Sequence, residues 1–276
     1  MRKRSKPTES SATGSSGNSA ASLTRGLDIL RAFTPDDATL GNQELIDRTG
    51  LAGATVSRLT ATLVNLGYLH YDAVLGRYSI GAATVALGYS ALSSNPIIHI
   101  ARPLMQELAD RTGAAVALGA CDGLEMVYLA NCRSMSPVTL QLNVGSRVPM
   151  ARTAMGLAYL TGLDEERRGA LVAALKQADA RRSERFVTDL DQALRDQAQF
   201  GFVTAFGSWH SYINAVGVTF HPTDGSPTVA LTCGGIVDIL PEDHCRKVVG
   251  PRLVALVEQM RERLAGGEGS RIDKAR

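Results

Sequence analysis

Gly41-Asn-Gln-Glu-Leu-Ile-Asp-Arg-Thr-Gly50, Leu51-Ala-Gly-Ala-Thr-Val-Ser-Arg-Leu-Thr-Ala-Thr-Leu-Val-Asn-Leu66 and Gly67-Tyr-Leu-His-Tyr71 form the continuous stretch that decides the fold. Asn42 to Thr49 reads as a short helix burying Leu45 and Ile46, closed by Gly50, which can take the left-handed conformation without a Cβ penalty. A second helix follows from about Ala54 to Leu66, with Val56, Leu59, Leu63 and Leu66 at helical spacing on one face. The opposite face, Ala54, Ser57, Arg58, Ala61 and Asn65, is small and polar and carries one cation. Two short helices joined by a glycine turn describe a helix-turn-helix. Periodicity alone fits an ordinary helical hairpin with a solvated face equally well. The next residues discriminate: Leu66-Gly-Tyr-Leu69 ends the helix, and Tyr71 to Ile80 alternates about the turn Asp72-Ala-Val-Leu-Gly76, as a β-wing does. On a recognition helix, small residues permit close approach to base edges, and an arginine offers a fork to guanine or phosphate. The candidate DNA contacts are therefore Ala54, Thr55, Ser57, Arg58, Ala61 and Thr62, with Arg77 on the wing near a flanking phosphate.

Working outward, 276 residues suffice for two domains, and 45% hydrophobic against 20% charged residues can bury substantial cores. The net charge is only +2, and within 41–80 Arg48, Arg58 and Arg77 are cancelled by Glu44, Asp47 and Asp72. That is a weak footprint for a nucleic-acid binder, so DNA affinity must come from local placement, the basic N-terminus and doubling in a dimer. Cys121, Cys132, Cys233 and Cys245 form no metal-binding spacing and read as free thiols in a reduced cytosol, so neither metal nor cofactor is expected. No apolar run reaches the roughly 18 residues of a membrane span, and the N-terminus lacks the apolar core of a signal peptide. A cytoplasmic protein without membrane attachment is the expectation. Nucleophile-elbow, phosphate-loop, dinucleotide and His-Glu-x-x-His motifs are absent, and the five histidines are scattered. The chain is thus read as a non-enzyme. A small-molecule enzyme built from distant segments, or an interaction module that never touches DNA, are the alternatives.

In chain order, residues 1–21 form a basic and then Ser/Gly-rich tail expected to be disordered. Ser22 to Phe33 reads as the first helix of a DNA-binding domain spanning 22–81, with Leu23, Leu27 and Leu30 in its stripe, and 82–95 holds a connecting helix. A second domain covers 96–265 and a tail 266–276. It opens with a helix from Ile97 to Thr112, followed by strands Ala115 to Ala120 and Leu124 to Ala130 joined through Asp122-Gly123, and a third strand from Val138 to Val144. Helices are expected at Thr153 to Leu160 and Asp164 to Lys176, and one opened by Thr188-Asp-Leu-Asp191 as a capping box. Strands Phe202 to Phe206, Ile213 to Phe220 and Thr228 to Cys233 follow, then a terminal helix from Pro241 that Pro251 kinks or splits. The fold class is α+β with a mostly antiparallel sheet.

These residues resemble the IclR family of bacterial transcriptional regulators over about Ser22 to Leu264. Ser22-Leu-x-Arg-Gly-Leu-x-Ile-Leu30 is similar to the family's opening helix. Thr49-Gly-Leu-x-x-x-Thr-Val-x-Arg-Leu59 and Leu63-x-x-Leu-Gly-Tyr-Leu69 resemble its helix-turn-helix, and Tyr78-x-Ile-Gly81 and Leu87-Gly88 its wing and connecting helix. Val144-Gly-x-x-x-Pro149, Thr153-Ala-x-Gly156, Gly201-Phe202 and Asn214-Ala215 resemble its effector domain. The resemblance implies an N-terminal winged helix-turn-helix joined by a helix to a GAF-like effector-binding domain. It implies a homodimer or tetramer on double-stranded, pseudo-palindromic operator DNA, controlled by a small-molecule effector of a catabolic pathway. Carried over position by position, it places the effector pocket at Leu140, Val148, Ala154, Met155, Ala205, Ala215, Thr232 and Gly234. Many members carry acidic residues after the Gly-aromatic pair where this chain has Thr204-Ala-Phe-Gly-Ser-Trp-His-Ser-Tyr212, so Trp209, His210 or Tyr212 is expected to reshape the pocket mouth. The helix starting near Thr153, with Arg152 beside it and a Thr232 hydroxyl donating from the opposite strand, suits a carboxylate on an apolar body. Arg152 pointing instead to solvent or a neighbouring subunit is the competing expectation.

Overall fold

Helix α1 (Ser16–Arg31) opens the described chain, six residues ahead of the expected Ser22 start. The computed structural model describes residues 16–135, 140–223 and 225–266; the expected N-terminal tail up to residue 15 and the C-terminal tail from 267 lie outside them. The apolar stripe of α1 is split: Ile29 is fully buried, whereas Leu23 and Leu27 face outward. Strand β1 (Leu40–Gly41) leads into α2 (Asn42–Thr49), which Gly50 ends at φ +66°, and α3 (Gly53–Asn65) follows. Ile29, Leu40, Leu45, Val56, Leu59 and Leu69 make the core of this unit. Leu66 sits past the helix end as its C-terminal cap and is exposed, so the buried face of α3 is shorter than its periodicity predicts. Strands β2 (Leu69–Asp72) and β3 (Arg77–Ile80) form the expected wing, and β1 pairs with β3 to make a three-stranded antiparallel sheet. Helix α4 (Ala82–Ser93) buries none of its side chains. The chain divides into two compact units after Ser93.

The second unit begins with α5 (Pro96–Thr112), capped by the Asn95 side chain accepting from the Ile97 N–H and ended by Gly113 at φ +71°. Strands β4 (Ala115–Asp122), β5 (Glu125–Cys132), β6 (Arg147–Pro149), β7 (Val203–Phe206), β8 (Ile213–Phe220) and β9 (Val229–Ile236) form one sheet in the order β6-β5-β4-β9-β8-β7. Every pairing is antiparallel. Alternation sends neighbours to opposite faces. Cys233 meets Thr112 of α5 on one face, while Thr232 points to the face that carries α6 (Ala154–Thr161). Helices α7 (Glu165–Ala178) and α8 (Ser183–Phe200) follow; the chain closes with a helical turn α9 (Glu242–His244), a π-turn at Cys245–Val249 and α10 (Gly250–Ala265).

Two expectations need correction here, and a third holds. Of the third strand predicted over Val138 to Val144, residues 138 and 139 lie outside the described residues and 140–144 are not a strand. Asn131 Nδ2 donates to the Leu142 carbonyl at 2.5 Å and Arg133 Nη2 donates to Leu142 O and Asn143 Oδ1, so side chains pin this segment where a ladder was expected. Sheet pairing starts only at Arg147, opposite Val127. Thr188 opens no helix: it lies inside α8, its hydroxyl donating to the Glu184 carbonyl, because the buried stripe Phe186, Leu190, Ala193 runs through it. Pro251 does interrupt the terminal helix, and the π-turn absorbs it: Gly250 N–H reaches back to Cys245 O just before the residue that lacks an N–H.

Candidate functional site

The outer face of α3 exposes Ala54, Ser57, Arg58, Ala61 and Thr62, with Thr55 half-buried. Arg58 makes no ion pair among the described residues. Ser57 Oγ accepts from Asn42 Nδ2 at 3.1 Å, which ties the face to the start of α2. Beneath it, Thr60 is fully buried and its hydroxyl meets the Tyr78 hydroxyl of β3 at 3.2 Å, fixing helix to wing. Arg77 departs from expectation. Its Nη2 pairs with Glu44 at 2.7 Å and donates to the Thr39 carbonyl, and its Nε donates to Thr39 Oγ1. The guanidinium thus buckles the wing to the start of α2. Glu44 also accepts from the Gly41 N–H at 2.7 Å, and that bond, followed by Arg77, holds its carboxyl below the usual range. A second buckle joins Arg48 to Asp37 and to the Ala32 carbonyl; the Arg48 guanidinium, with Thr34, holds the Asp37 carboxyl far below the ordinary carboxylate value.

In the second unit a cleft of about 550 Å³, counting the open space at its mouth, lies between the sheet and the N-terminal end of α6. Its floor follows from strand register, since directly paired residues share a face. Ala115, Gly234, Ala215 and Ala205 stand in one row across β4, β9, β8 and β7. Asn131, Ala117, Thr232 and Gly217 stand in the next, across β5, β4, β9 and β8. Side chains this small leave the space empty. The same economy seats α6: a Cβ on Gly217 would overlap the Ala154 carbonyl, and one on Gly119 the Met155 sulfur.

Leu140, Ala154, Met155, Ala205, Ala215, Thr232 and Gly234 all line the cleft, whereas Val148 does not. Val148 is 1% exposed in the core beneath, opposite Met126. Thr232 lines the wall but its hydroxyl donates to Val216 O at 2.9 Å, so toward a ligand it can only accept. Trp209 lines the mouth; the His210 ring packs tilted against it and the Tyr212 ring stacks on His210, neither lining the cleft. Residues that sequence reasoning did not place here are Tyr128, Asn131, Leu142, Ile213 and the floor alanines Ala115 and Ala117. For Tyr128, Asn131, Ala115 and Ala117 the signal is strand register, knowable once β4, β5 and β9 are paired; Leu142 and Ile213 come from the non-strand segment after β5 and from the start of β8.

The polar groups are few. Thr153 caps α6, its Oγ1 accepting from the Gly156 N–H at 3.2 Å and donating to Pro149 O at 2.9 Å. The N–H groups of Ala154 and Met155 open the helix and have no intrahelical acceptor. Arg152 lines the cleft and also a second cavity beside Phe186 and Asp189: Nη2 donates to the Trp209 carbonyl at 2.7 Å, and Nε is buried with no partner among the described residues. Asn131 Oδ1 is likewise buried without a partner. Tyr128 is 7% exposed at the wall, where burial pushes its phenol well above the ordinary value. Chemically the cleft is an apolar chamber with a cation and a helix N-terminus at one side and an open acceptor at Asn131. Among the described residues no group of three or more His, Cys, Asp or Glu is placed to hold a metal, and no helix is long and apolar enough to cross a membrane.

Comparison with known proteins accounts for both halves. Residues 22–73 match the IclR helix-turn-helix domain family, and residues 89–260 match the family described as bacterial transcriptional regulator IclR C-terminal. The HTH-type transcriptional regulator TsaQ1/TsaQ2 of Comamonas testosteroni is 31% identical over 87% of this chain and 86% of its own length. Among solved structures, an IclR family transcriptional regulator from Brucella abortus is 37% identical with a TM-score of 0.81, covering 93% of this chain and 99% of that one. An IclR homologue from Microbacterium hydrocarbonoxydans, solved in complex with 4-hydroxybenzoate, shares the fold at a TM-score of 0.69 and 18% identity, covering 89% of this chain and 99% of its own. The two matches make the chain a transcriptional regulator with a DNA-binding helix-turn-helix domain and a ligand-binding C-terminal domain, and the chain belongs to the IclR family.

Proposed function

We propose that α3 reads a pseudo-palindromic operator in the major groove through Ala54, Thr55, Ser57, Arg58, Ala61 and Thr62, and that a small organic acid in the α6 cleft sets operator affinity. The observation that carries the ligand assignment is Arg152: it lines a mostly apolar chamber, and its Nε is buried with no partner among the described residues. Such a donor costs about 1–3 kcal/mol while unpaired, and a carboxylate satisfies it together with the N–H groups opening α6. Asn131 Oδ1 is the matching acceptor for a ligand hydroxyl. The Microbacterium relative's 4-hydroxybenzoate is of that class, a carboxylate and a hydroxyl on an apolar body.

The protein acts as a homodimer or tetramer in the cytoplasm and performs no catalysis. The exposed apolar residues Leu23 and Leu27 of α1 and Val85, Leu87 and Tyr89 of α4 suit contact between copies. Pairing two heads offsets the absence of net charge over 41–80. The test compares aliphatic and aromatic acids with their amides by thermal shift. An acid at about 100 times its dissociation constant stabilises the chain by roughly 2.7 kcal/mol, and Met155→Trp, which fills the chamber, abolishes the effect. Amides that stabilise as well as the acids overturn the ligand class. On the DNA side, Arg58→Ala costs about 1–3 kcal/mol of operator binding, and unchanged affinity in that variant removes α3 as the reader.

A further inference from the structure

We infer that Tyr128 selects among acids: its phenol donates to a ligand hydroxyl that in turn donates to Asn131 Oδ1, so the cleft takes an acid whose hydroxyl is remote from its carboxylate. Resting on the reading of the α6 cleft as an acid site, the assignment adds the residue that sets specificity. An irregularity in β5 brings the two groups together. Asn131 stands opposite Ala117, and a regular ladder would then set Leu129 opposite Gly119. Instead the register shifts between Leu118 and Gly119, and Tyr128 takes that place. Leu129 is the extra residue of a β-bulge. Without the bulge Tyr128 would share a face with Ala130 and Cys132, whose thiol donates to the Arg102 carbonyl of α5. With it, Tyr128 turns to the α6 side and lines the cleft together with Asn131. Bulges next to functional sites re-aim side chains in this way.

Neither polar group is satisfied within the protein. Tyr128 is 7% exposed, its hydroxyl makes no hydrogen bond among the described residues, and burial alone keeps the phenol protonated. Asn131 is fixed by its other end: Nδ2 donates to the Leu142 carbonyl, which leaves Oδ1 buried and unpartnered. With the amide oriented by that bond, Asn131 can only accept from a ligand, whereas a phenol can donate or accept. A hydroxyl oxygen is the single ligand group that donates to the first while accepting from the second. An ether or a bare ring edge leaves Asn131 Oδ1 an orphan acceptor, which is costly when buried. Strand order decides where on the ligand the hydroxyl lies. Arg152 is held at the Trp209 carbonyl beyond β7, while Tyr128 and Asn131 stand on β5. Strands β4, β9 and β8 lie between, at about 4.8 Å per step. A hydroxyl on the carbon next to the carboxylate cannot serve both ends; one at the far end of a ring or chain can.

The test titrates acids calorimetrically into the full chain: benzoate with its 4-hydroxy, 4-methoxy and 2-hydroxy derivatives, and hexanoate with 6-hydroxyhexanoate. In wild type the remote hydroxyl tightens binding about ten-fold over the parent acid, and the methoxy and 2-hydroxy compounds gain nothing. Tyr128→Phe keeps the ring and deletes the donor. In that variant the remote-hydroxyl acids lose about 3- to 10-fold in affinity, and benzoate and hexanoate bind as in wild type. The ligand-free variant melts no lower than wild type, because the deleted hydroxyl had no partner. Acids that bind wild type and lose affinity in Met155→Trp, but show no remote-hydroxyl preference or one that Tyr128→Phe leaves intact, overturn the Tyr128 assignment and leave the acid site standing. A ligand-free melting temperature that drops by several degrees in Tyr128→Phe also overturns it, since the hydroxyl is then bonded within the protein. If none of these acids binds, the acid reading of the cleft falls and the Tyr128 assignment with it.

Discussion

Replacing Arg152 by Met keeps the length of the side chain and deletes the guanidinium, and the structure sets two opposing consequences for the free protein. The Nη2 bond to the Trp209 carbonyl, 2.7 Å long, is lost, at a cost of about 1.5–3 kcal/mol for a charged donor. The buried Nε that has no partner also disappears, which relieves about 1–3 kcal/mol. The terms nearly cancel, so the ligand-free melting temperature moves little. Binding behaves differently, because only the ligand complex uses the vacant donor. A carboxylate loses a charge-assisted bond of about 1.5–3 kcal/mol, or roughly 10- to 150-fold in dissociation constant. The corresponding amide loses far less. Calorimetric titration of one acid and its amide into wild type and Arg152→Met gives the ratio directly: a strong acid preference in wild type and almost none in the variant. An acid-to-amide ratio that is the same in both proteins refutes the placement of the carboxylate at Arg152.

Other consequences follow from the same contacts. Gly217→Ala drives a Cβ into the Ala154 carbonyl; overpacking of about 1–3 kcal/mol lowers the melting temperature of the second unit by several degrees, and an unchanged value means α6 is not seated on β8. Asp37, held far below the ordinary carboxylate value by Arg48, has a lower pKa folded than unfolded. Its ion pair therefore stabilises the fold at every pH above the unfolded value of about 3.9 and is lost as pH falls below it. Asp37→Asn lowers the urea midpoint at pH 7 and pH 5 alike, and the gap narrows only under about pH 4; a gap closing already at pH 6 contradicts the assignment. Burial pushes the Cys233 thiol up to about 12, so at pH 8 iodoacetamide labels the partly exposed Cys121 well before Cys233, as peptide mass spectrometry reads out.

The parts legible in the sequence are those fixed by local chemistry. Gly50, Gly113 and Gly201 end helices at positive φ where the periodicity stops, and Asp122-Gly123 turns β4 into β5. The small outer face of α3 needs only its own spacing. What escaped depends on partners distant in sequence. Arg77 looks like a free cation until Glu44 and Thr39 are folded against it. The alternation of Leu140 and Leu142 mimics a strand, yet both residues line the cleft while Asn131 and Arg133 hold the Leu142 carbonyl. Thr188 has the look of a cap, but burial of Phe186 and Leu190 on either side carries α8 straight through it. Arg152 is oriented by the Trp209 carbonyl, 57 positions later, and the floor alanines acquire meaning only from cross-strand register. Val148 shows the limit of carrying positions over from relatives: here it is core.

The central claim, ligand-controlled operator binding, is tested most directly on one selected duplex. The full chain is used to enrich sequences from a random pool, and the affinity for the winning duplex is then measured with and without a saturating acid that stabilises the protein. The account predicts a motif with two-fold related halves and a dissociation constant that the acid shifts by about 5- to 150-fold, with the shift abolished in Met155→Trp. Failure to enrich any motif, or a dissociation constant that no stabilising acid moves, contradicts it.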